Sequence, residues 1–204
     1  NVVVQDANGC EYAEFISIPE PVEVQVEVEA QVRIRLGDSY QINAQVNIPL
    51  EEIASIQWSP AEGLSCTDCL TPLATPTQTT TYTLRITNVN GCPDVDRIMV
   101  VVDREPAIYV PNAFSPYNND GFNDRFVVYA KPDAVKKVNS LMIFNRWGEL
   151  MYEVYNFPPN DPQYGWDGLH RGQMMNAAVF VYWTEVELID GTTVLLKGDV
   201  TLVR

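Results

Sequence analysis

Ala178–Arg204, AVFVYWTEVELIDGTTVLLKGDVTLVR, reads as a β-hairpin. Val179, Val181, Trp183 and the residues after them are rich in β-branched and aromatic types that fit a pleated surface. Asp190-Gly191 supplies the tight turn, and Val194 to Val203 runs back. A strand that stops flush with the last residue is expected to be a sheet member and also an end that can be offered to a partner, with Leu202, Val203 and Arg204 at its tip.

The chain before it is of the same kind. Val22, Val24, Val26 and Val28 alternate with Glu23, Gln25, Glu27 and Glu29, which gives one face to a core and one to water. Ile42 with Ala44 and Val46, Ile56 with Trp58, Tyr82 with Leu84 and Ile86, and Ile98 with Val100 and Val102 repeat that period. Gly37-Asp38, Asn90-Gly91 and prolines at 49, 60, 72 and 76 mark turns between them. No stretch keeps an apolar period of 3.6 for three turns, and 204 residues suffice for two small domains. The prediction is an all-β chain of tandem immunoglobulin-like β-sandwich modules.

An internal repeat sets the expected boundaries. Asp6-Ala-Asn-Gly-Cys10, a strand and Pro19-Glu-Pro21 recur as Asn88-Val-Asn-Gly-Cys92, a strand and Arg104-Glu-Pro106, with Cys92 standing 82 residues after Cys10. Residues 1–21 then read as the last hairpin of a truncated preceding module, 22–103 as a whole immunoglobulin-like or PKD-like stalk module, and 104–204 as a separate domain. Charge divides at the same place: residues 1–103 carry 15 acids against 4 bases, and residues 104–204 carry 12 against 9. The net charge of -14 argues against nucleic acid or an anionic membrane as partner, and no direct membrane insertion is expected. Lys131, Lys136 and Lys137 form a basic cluster that is read as solvent-facing.

Cys66-Thr-Asp-Cys69 has the spacing of half a zinc site or of a redox pair. No second CxxC exists, His170 is far away in sequence, and no βαβ pattern surrounds the pair, so a structural disulfide between Cys66 and Cys69 is predicted. Such a bond implies a compartment outside the cytoplasm, and the pairing of Cys10 and Cys92 is left open.

The run VPNAFSPYNNDGFNDRF at 110–126 resembles the opening of the gliding motility-associated C-terminal domain, the type B sorting domain of the Bacteroidetes type IX secretion system. LMIFNRWG at 141–148, Tyr152-Glu153, GWDG at 165–168, VFVYW at 179–183 and LKGDVTLVR at 196–204 follow in the family's order, so the resemblance covers essentially all of 107–204. One departure is Asn119, where the family has glycine, and asparagine also tolerates the left-handed conformation. Residues 22–103 are similar, more loosely, to PKD-like repeats of large surface adhesins. The resemblance implies a non-catalytic address for export through the periplasm to the cell surface, the outer membrane or the medium. It also implies two partners, the type IX translocon and an outer-membrane β-barrel shuttle protein. The contacts it suggests are Leu202, Val203 and Arg204, with Lys197, Asp199 and Thr201 behind them.

A second reading makes the chain a calcium- or carbohydrate-binding adhesive module. Asn118, Asp120 and Asp124, with the Phe122 carbonyl, place oxygen atoms at alternating positions as a hard cation requires. The competing reading, a turn whose Asn and Asp side chains bond nearby amides, is preferred, so no cofactor is expected and calcium is the one candidate. Trp147, Trp166 and Trp183 with the tyrosines read as core and rim of a small sandwich in preference to a sugar platform. No nucleophile or base motif surrounds His170, so no enzymatic activity is expected.

Overall fold

The computed structural model describes residues 2–15, 23–104, 108–117 and 120–203. The boundary at 21/22 and the linker at 105–107 lie outside the described residues, as do Asn118 and Arg204. Two antiparallel strands, β1 (Val2–Gln5) and β2 (Glu11–Glu14), come first. Their turn is closed by main-chain bonds from Asp6 N–H to the Cys10 carbonyl and from Gly9 N–H to the Asp6 carbonyl, each 3.0 Å. The Asp6 carboxylate accepts from the N–H groups of Asn8 and Cys10, both at 2.9 Å. Gly9 carries φ 87°, which is why glycine stands there.

The first sandwich contains β3 (Val26–Glu27), β4 (Gln31–Arg35), β5 (Tyr40–Gln41), β6 (Gln45–Val46), β7 (Ile53–Ser59), β8 (Leu73–Ala74), β9 (Thr80–Asn88) and β10 (Pro93–Asp103). One sheet has the order β4-β10-β9-β7 with β4 parallel to β10, and the pairs β3-β6 and β5-β8 complete the strands of this unit. Tyr82, Leu84 and Ile86 of β9 and Ile98, Val100 and Val102 of β10 alternate into the core with Trp58. The indole N–H of Trp58 donates to the Cys69 carbonyl at 2.8 Å, and Cys66 and Cys69 are joined by a disulfide. The β9-β10 turn repeats the first hairpin bond for bond, with Asn88 accepting from Asn90 N–H and Cys92 N–H at 3.0 and 2.8 Å.

The valine-glutamate alternation from Val22 gives less strand than its period predicts, only Val26–Glu27. The reason lies 68 residues away. The N–H groups of Val26 and Val28 donate to the Asp94 and Asp96 carboxylates of β10 at 2.7 and 2.8 Å, so side chains take the place of a main-chain ladder.

The second sandwich contains β11 (Ile108–Tyr109), β12 (Ala113–Phe114), β13 (Tyr129–Ala130), β14 (Val135–Phe144), β15 (Leu150–Phe157), β16 (Leu169–His170), β17 (Gln173–Met174), β18 (Ala178–Leu188) and β19 (Thr193–Leu202). Its main sheet runs β12-β19-β18-β14-β15, with β12 parallel to β19 as β4 is to β10, and β11-β13 matches β3-β6. Asn145 closes the β14-β15 turn as Asn88 closes its own, accepting from Trp147 and Glu149 N–H at 2.9 and 3.0 Å. The β18-β19 turn is longer than the dipeptide Asp190-Gly191. Leu188 and Thr192 close it, because Gly191 at φ 82° completes a three-residue loop of the kind seen in the other hairpins.

Between the sandwiches, Leu36 N–H donates to the Asp103 carbonyl at 2.8 Å, which places the following turn beside the end of β10. Gly37 there has φ 80°, and a Cβ on it would stand 2.1 Å from the Asp133 carbonyl oxygen. Asp38 pairs with Lys131, and Arg104 lies 3.5 Å from the Asp190 carboxylate. Lys131 is therefore a junction residue, although sequence reading assigned it to solvent. The Lys131 hydrogen bond holds the Asp38 carboxyl below its ordinary range. For Asp190, burial acts upward, but the Thr192 hydroxyl and N–H and the Arg104 charge bring the carboxyl below its ordinary range.

Removing the substitute ladder is expected to destabilise the first sandwich. Asp94→Ala and Asp96→Ala each strand a main-chain N–H and should lower the unfolding free energy by about 1.5–3 kcal/mol, the scale of a hydrogen bond to a charged group. Urea denaturation checks this, and a pair of variants within about 0.5 kcal/mol of the parent would refute it. The junction carries a pH signature. Carboxyls with depressed folded-state values contribute above the ordinary carboxylate range and lose that contribution as pH falls through the lowered value. The two sandwiches should uncouple below about pH 4 while near-ultraviolet dichroism still reports packed cores. A radius of gyration in X-ray scattering that stays constant over that acid range would contradict it.

Candidate functional site

The second sandwich is built around Trp166, which is fully buried and donates its indole N–H to the Leu169 carbonyl at 2.9 Å. Phe114 and Phe180 approach its ring at 5.3 and 4.8 Å between centroids, the second edge-on. Tyr182 of β18 lies 5.3 Å from Phe126 and covers Gly198 of β19, where a Cβ would come within 2.8 Å of the tyrosine oxygen. Burial, then the charge of Asp199, raises the Tyr182 phenol above its ordinary value. The β18-β19 hairpin is thus fixed from inside by an aromatic ring laid over a glycine.

Its other face is different. Along β18 the outward residues Val179, Val181 and Trp183 are apolar, and Trp183 is 48% exposed. Their cross-strand partners on β19 are Thr201, Asp199 and Lys197 in that order. Trp183 also faces Met142 of β14, and Val181 faces Phe144. The result is an apolar strip on a sheet surface with one cation and one anion along its β19 edge. An exposed patch of this make-up is what a protein partner would cover.

Of the contacts suggested by sequence, Lys197, Asp199 and Thr201 come together on that strip. Leu202 does not: it is 0% exposed and packs on the core face, with Phe114 opposite it on β12. Val203 is 38% exposed, and its N–H donates to the Phe114 carbonyl at 3.0 Å. β19 therefore lies between β18 and β12 at this end and is held on both sides. Sequence reading missed the β18 half of the strip. Its signal is that Ala178–Trp183 is apolar on both faces, whereas Thr184–Leu188 alternates with glutamate.

In the candidate calcium loop two carboxylate oxygens accept from the loop's own backbone, while Asp124 Oδ1 is buried with no hydrogen-bond partner among the described residues. Asp120 accepts from Phe122 N–H at 2.8 Å, and the Asp124 Oδ2 accepts from Gly121 N–H at 3.0 Å. Asn118 lies outside the described residues, and among the described residues no group of three or more His, Cys, Asp or Glu is placed to hold a metal. His170 Nδ1 is 3.1 Å from the Met151 carbonyl, and its Nε2, 3.8 Å from Glu149, is buried without a hydrogen-bond partner among the described residues. Trp147 rides exposed on the β14-β15 turn, 5.9 Å from the Arg146 guanidinium carbon, and takes no part in the strip.

A sandwich whose assembled surface feature is an apolar strand face has the make-up of a surface that binds another protein. Residues 108–200 match the family model CHU_C, the type IX secretion signal domain, and the C-terminal sandwich is a domain of that kind. Such a signal implies handling by the type IX machinery and a secreted or cell-surface protein. No curated protein matches the chain. Among solved structures it is similar to the fibronectin(III)-like modules of Clostridium thermocellum CbhA, at 13% identity and a TM-score of 0.30, over 87% of this chain and 94% of that one. It is also similar to a tetra-tandem repeat from the extending region of a large adhesion protein, at 11% identity and a TM-score of 0.42, over 98% of this chain and 55% of the other. Among the described residues no helix is long and apolar enough to cross a membrane.

Leu202→Ala should cost about 2–5 kcal/mol of stability, the range for emptying a core leucine site. Val203→Ala should stay within about 0.5 kcal/mol, as surface changes do. Thermal or chemical denaturation of the two variants separates the core face of β19 from its exposed end, and equal losses would contradict the assignment.

Proposed function

We propose that the C-terminal sandwich is a non-catalytic address for type IX export that an outer-membrane β-barrel shuttle protein of the translocon reads in the folded state. The contact is the outer face of β18-β19. Val179, Val181 and Trp183 form its apolar centre, and Lys197 and Asp199 set its register against the partner. The observation that carries this reading is the pairing of half-exposed Trp183 and Val181 with Lys197 and Asp199, on a strand whose inner face is closed by Tyr182 over Gly198. The first sandwich stands behind the address as a spacer, with no catalytic or metal constellation assigned to it.

Export of a fluorescent reporter tests both levels. The full chain is placed behind a signal peptide and the reporter in a bacterium that has a type IX system, beside a Val181→Ser/Trp183→Ser variant. The parent should carry fluorescence to the cell surface or medium, and the variant should lose most of it with its melting temperature unchanged. Full export of the variant would remove the strip as the contact. A folded parent that stays in the periplasm would remove the address itself.

A further inference from the structure

The two sandwiches can be superposed by their connections, and this identifies a surface of the first that has an occupied counterpart on the second. β3-β6 corresponds to β11-β13, β4 beside β10 to β12 beside β19, and the hairpin β9-β10 to β18-β19. One bond fixes the correspondence at the hairpin end. Val89 N–H donates to the Glu52 carbonyl at 2.9 Å, and Ile189 N–H donates to the Ala134 carbonyl at 3.2 Å. Pro49–Glu52 therefore corresponds to Lys131–Ala134, and Val89 to Ile189.

On the second sandwich this end receives the Gly37-Asp38 turn, with Gly37 against the Asp133 carbonyl and Asp38 on Lys131. On the first, Leu50 is 69% exposed and Val89 is 61% exposed at the same place. The residue at the Lys131 position is Pro49 and that at the Pro132 position is Leu50, so the ion pair of one end is replaced by an apolar surface on the other.

The β1-β2 hairpin says what covers it. Its turn copies Asn88–Cys92 in all four hydrogen bonds, with Asp6 in the place of Asn88. That register puts Val2 and Val4 in the positions of Leu84 and Ile86, which are 0% exposed, yet Val2 and Val4 are 48% and 61% exposed. A lone two-stranded ribbon is marginal in water, so these valines belong in a core that other strands supply. We infer that β1-β2 is the closing hairpin of another immunoglobulin-like unit, and that the opposite-end turn of that unit, next to the chain entering residue 23, seats on Leu50 and Val89 as Gly37-Asp38 seats on Lys131–Ala134. The junction it makes is apolar and, unlike the one at Asp38, insensitive to acid.

The test compares the 204-residue chain with the natural chain extended at its N-terminus by one repeat, 82 residues as from Cys10 to Cys92. In the shorter chain the amides of residues 2–14 should exchange without protection, and Leu50→Asp/Val89→Asp should leave melting unchanged. In the longer chain those amides should gain protection equal to residues 84–96, and hydroxyl-radical oxidation of Leu50 and Val89 should fall several-fold, a fall reversed by the double substitution. Protection of residues 2–14 already in the shorter chain would overturn the inference. Protection gained while Leu50 and Val89 stay as reactive as before would overturn the docking. Self-association of the shorter chain that the double substitution abolishes would assign the surface to a second copy instead, and would equally overturn it.

Discussion

The fold rests on the pairing of an early strand with the last one. In the second sandwich Ala113 pairs with Thr201 and Phe114 with Leu202, in parallel, and in the first Gln31–Arg35 pairs with Met99–Asp103 in the same way. Both contacts close long loops, and loop-closure entropy is met before the core returns any burial. Each sandwich therefore completes its core only when its last strand is present, because that strand sits between two neighbours. For an address domain this has a consequence: the surface to be read forms together with the core, and an incomplete chain does not display it.

Carboxylates do structural work in this acidic chain that their number alone does not reveal. Asp6 closes a hairpin, Asp94 and Asp96 stand in for a strand along β3, and Asp38 and Asp190 join the sandwiches. Charge-assisted acceptance of backbone N–H groups suits aspartate at 94 and 96, whereas the hairpin closure made by Asp6 is made equally by Asn88 and Asn145. The asymmetry of charge between the two halves, read from sequence as a mark of the domain boundary, is in part a record of these bonds.

The period of two and the Asn-Gly and Asp-Gly pairs were enough to place β9, β10, β18 and β19, because a one-sided sheet and a left-handed glycine leave marks in consecutive residues. What stayed hidden depends on distance in sequence. The shortening of β3 is decided by two aspartates 68 residues on, and Lys131 becomes a junction residue only when Gly37 is brought against Asp133. For β18 the difficulty was of another kind. Where Val179, Phe180, Val181 and Tyr182 are apolar on both faces, alternation cannot say which face is inside; Gly198, which admits Tyr182, decides it. Leu202 illustrates the same limit, since a terminal leucine looks available until β12 is found beside it.

That placement bears on how such a domain can be recognised. Releasing β19 to a partner would break its register with β18 from Ala178↔Leu202 to Glu187↔Thr193, and would expose Val200 and Leu202, both 0% accessible. The cost is of the order of the whole domain's stability, about 5–15 kcal/mol, a range that brackets the roughly 8–12 kcal/mol gained in micromolar to nanomolar binding. Docking onto the outer strip breaks none of these pairs and draws on apolar area that is already presented. A partner that reads the domain after it has folded meets Trp183, Val181 and the β19 charges already exposed, while Leu202 holds β19 against β12 from the core side.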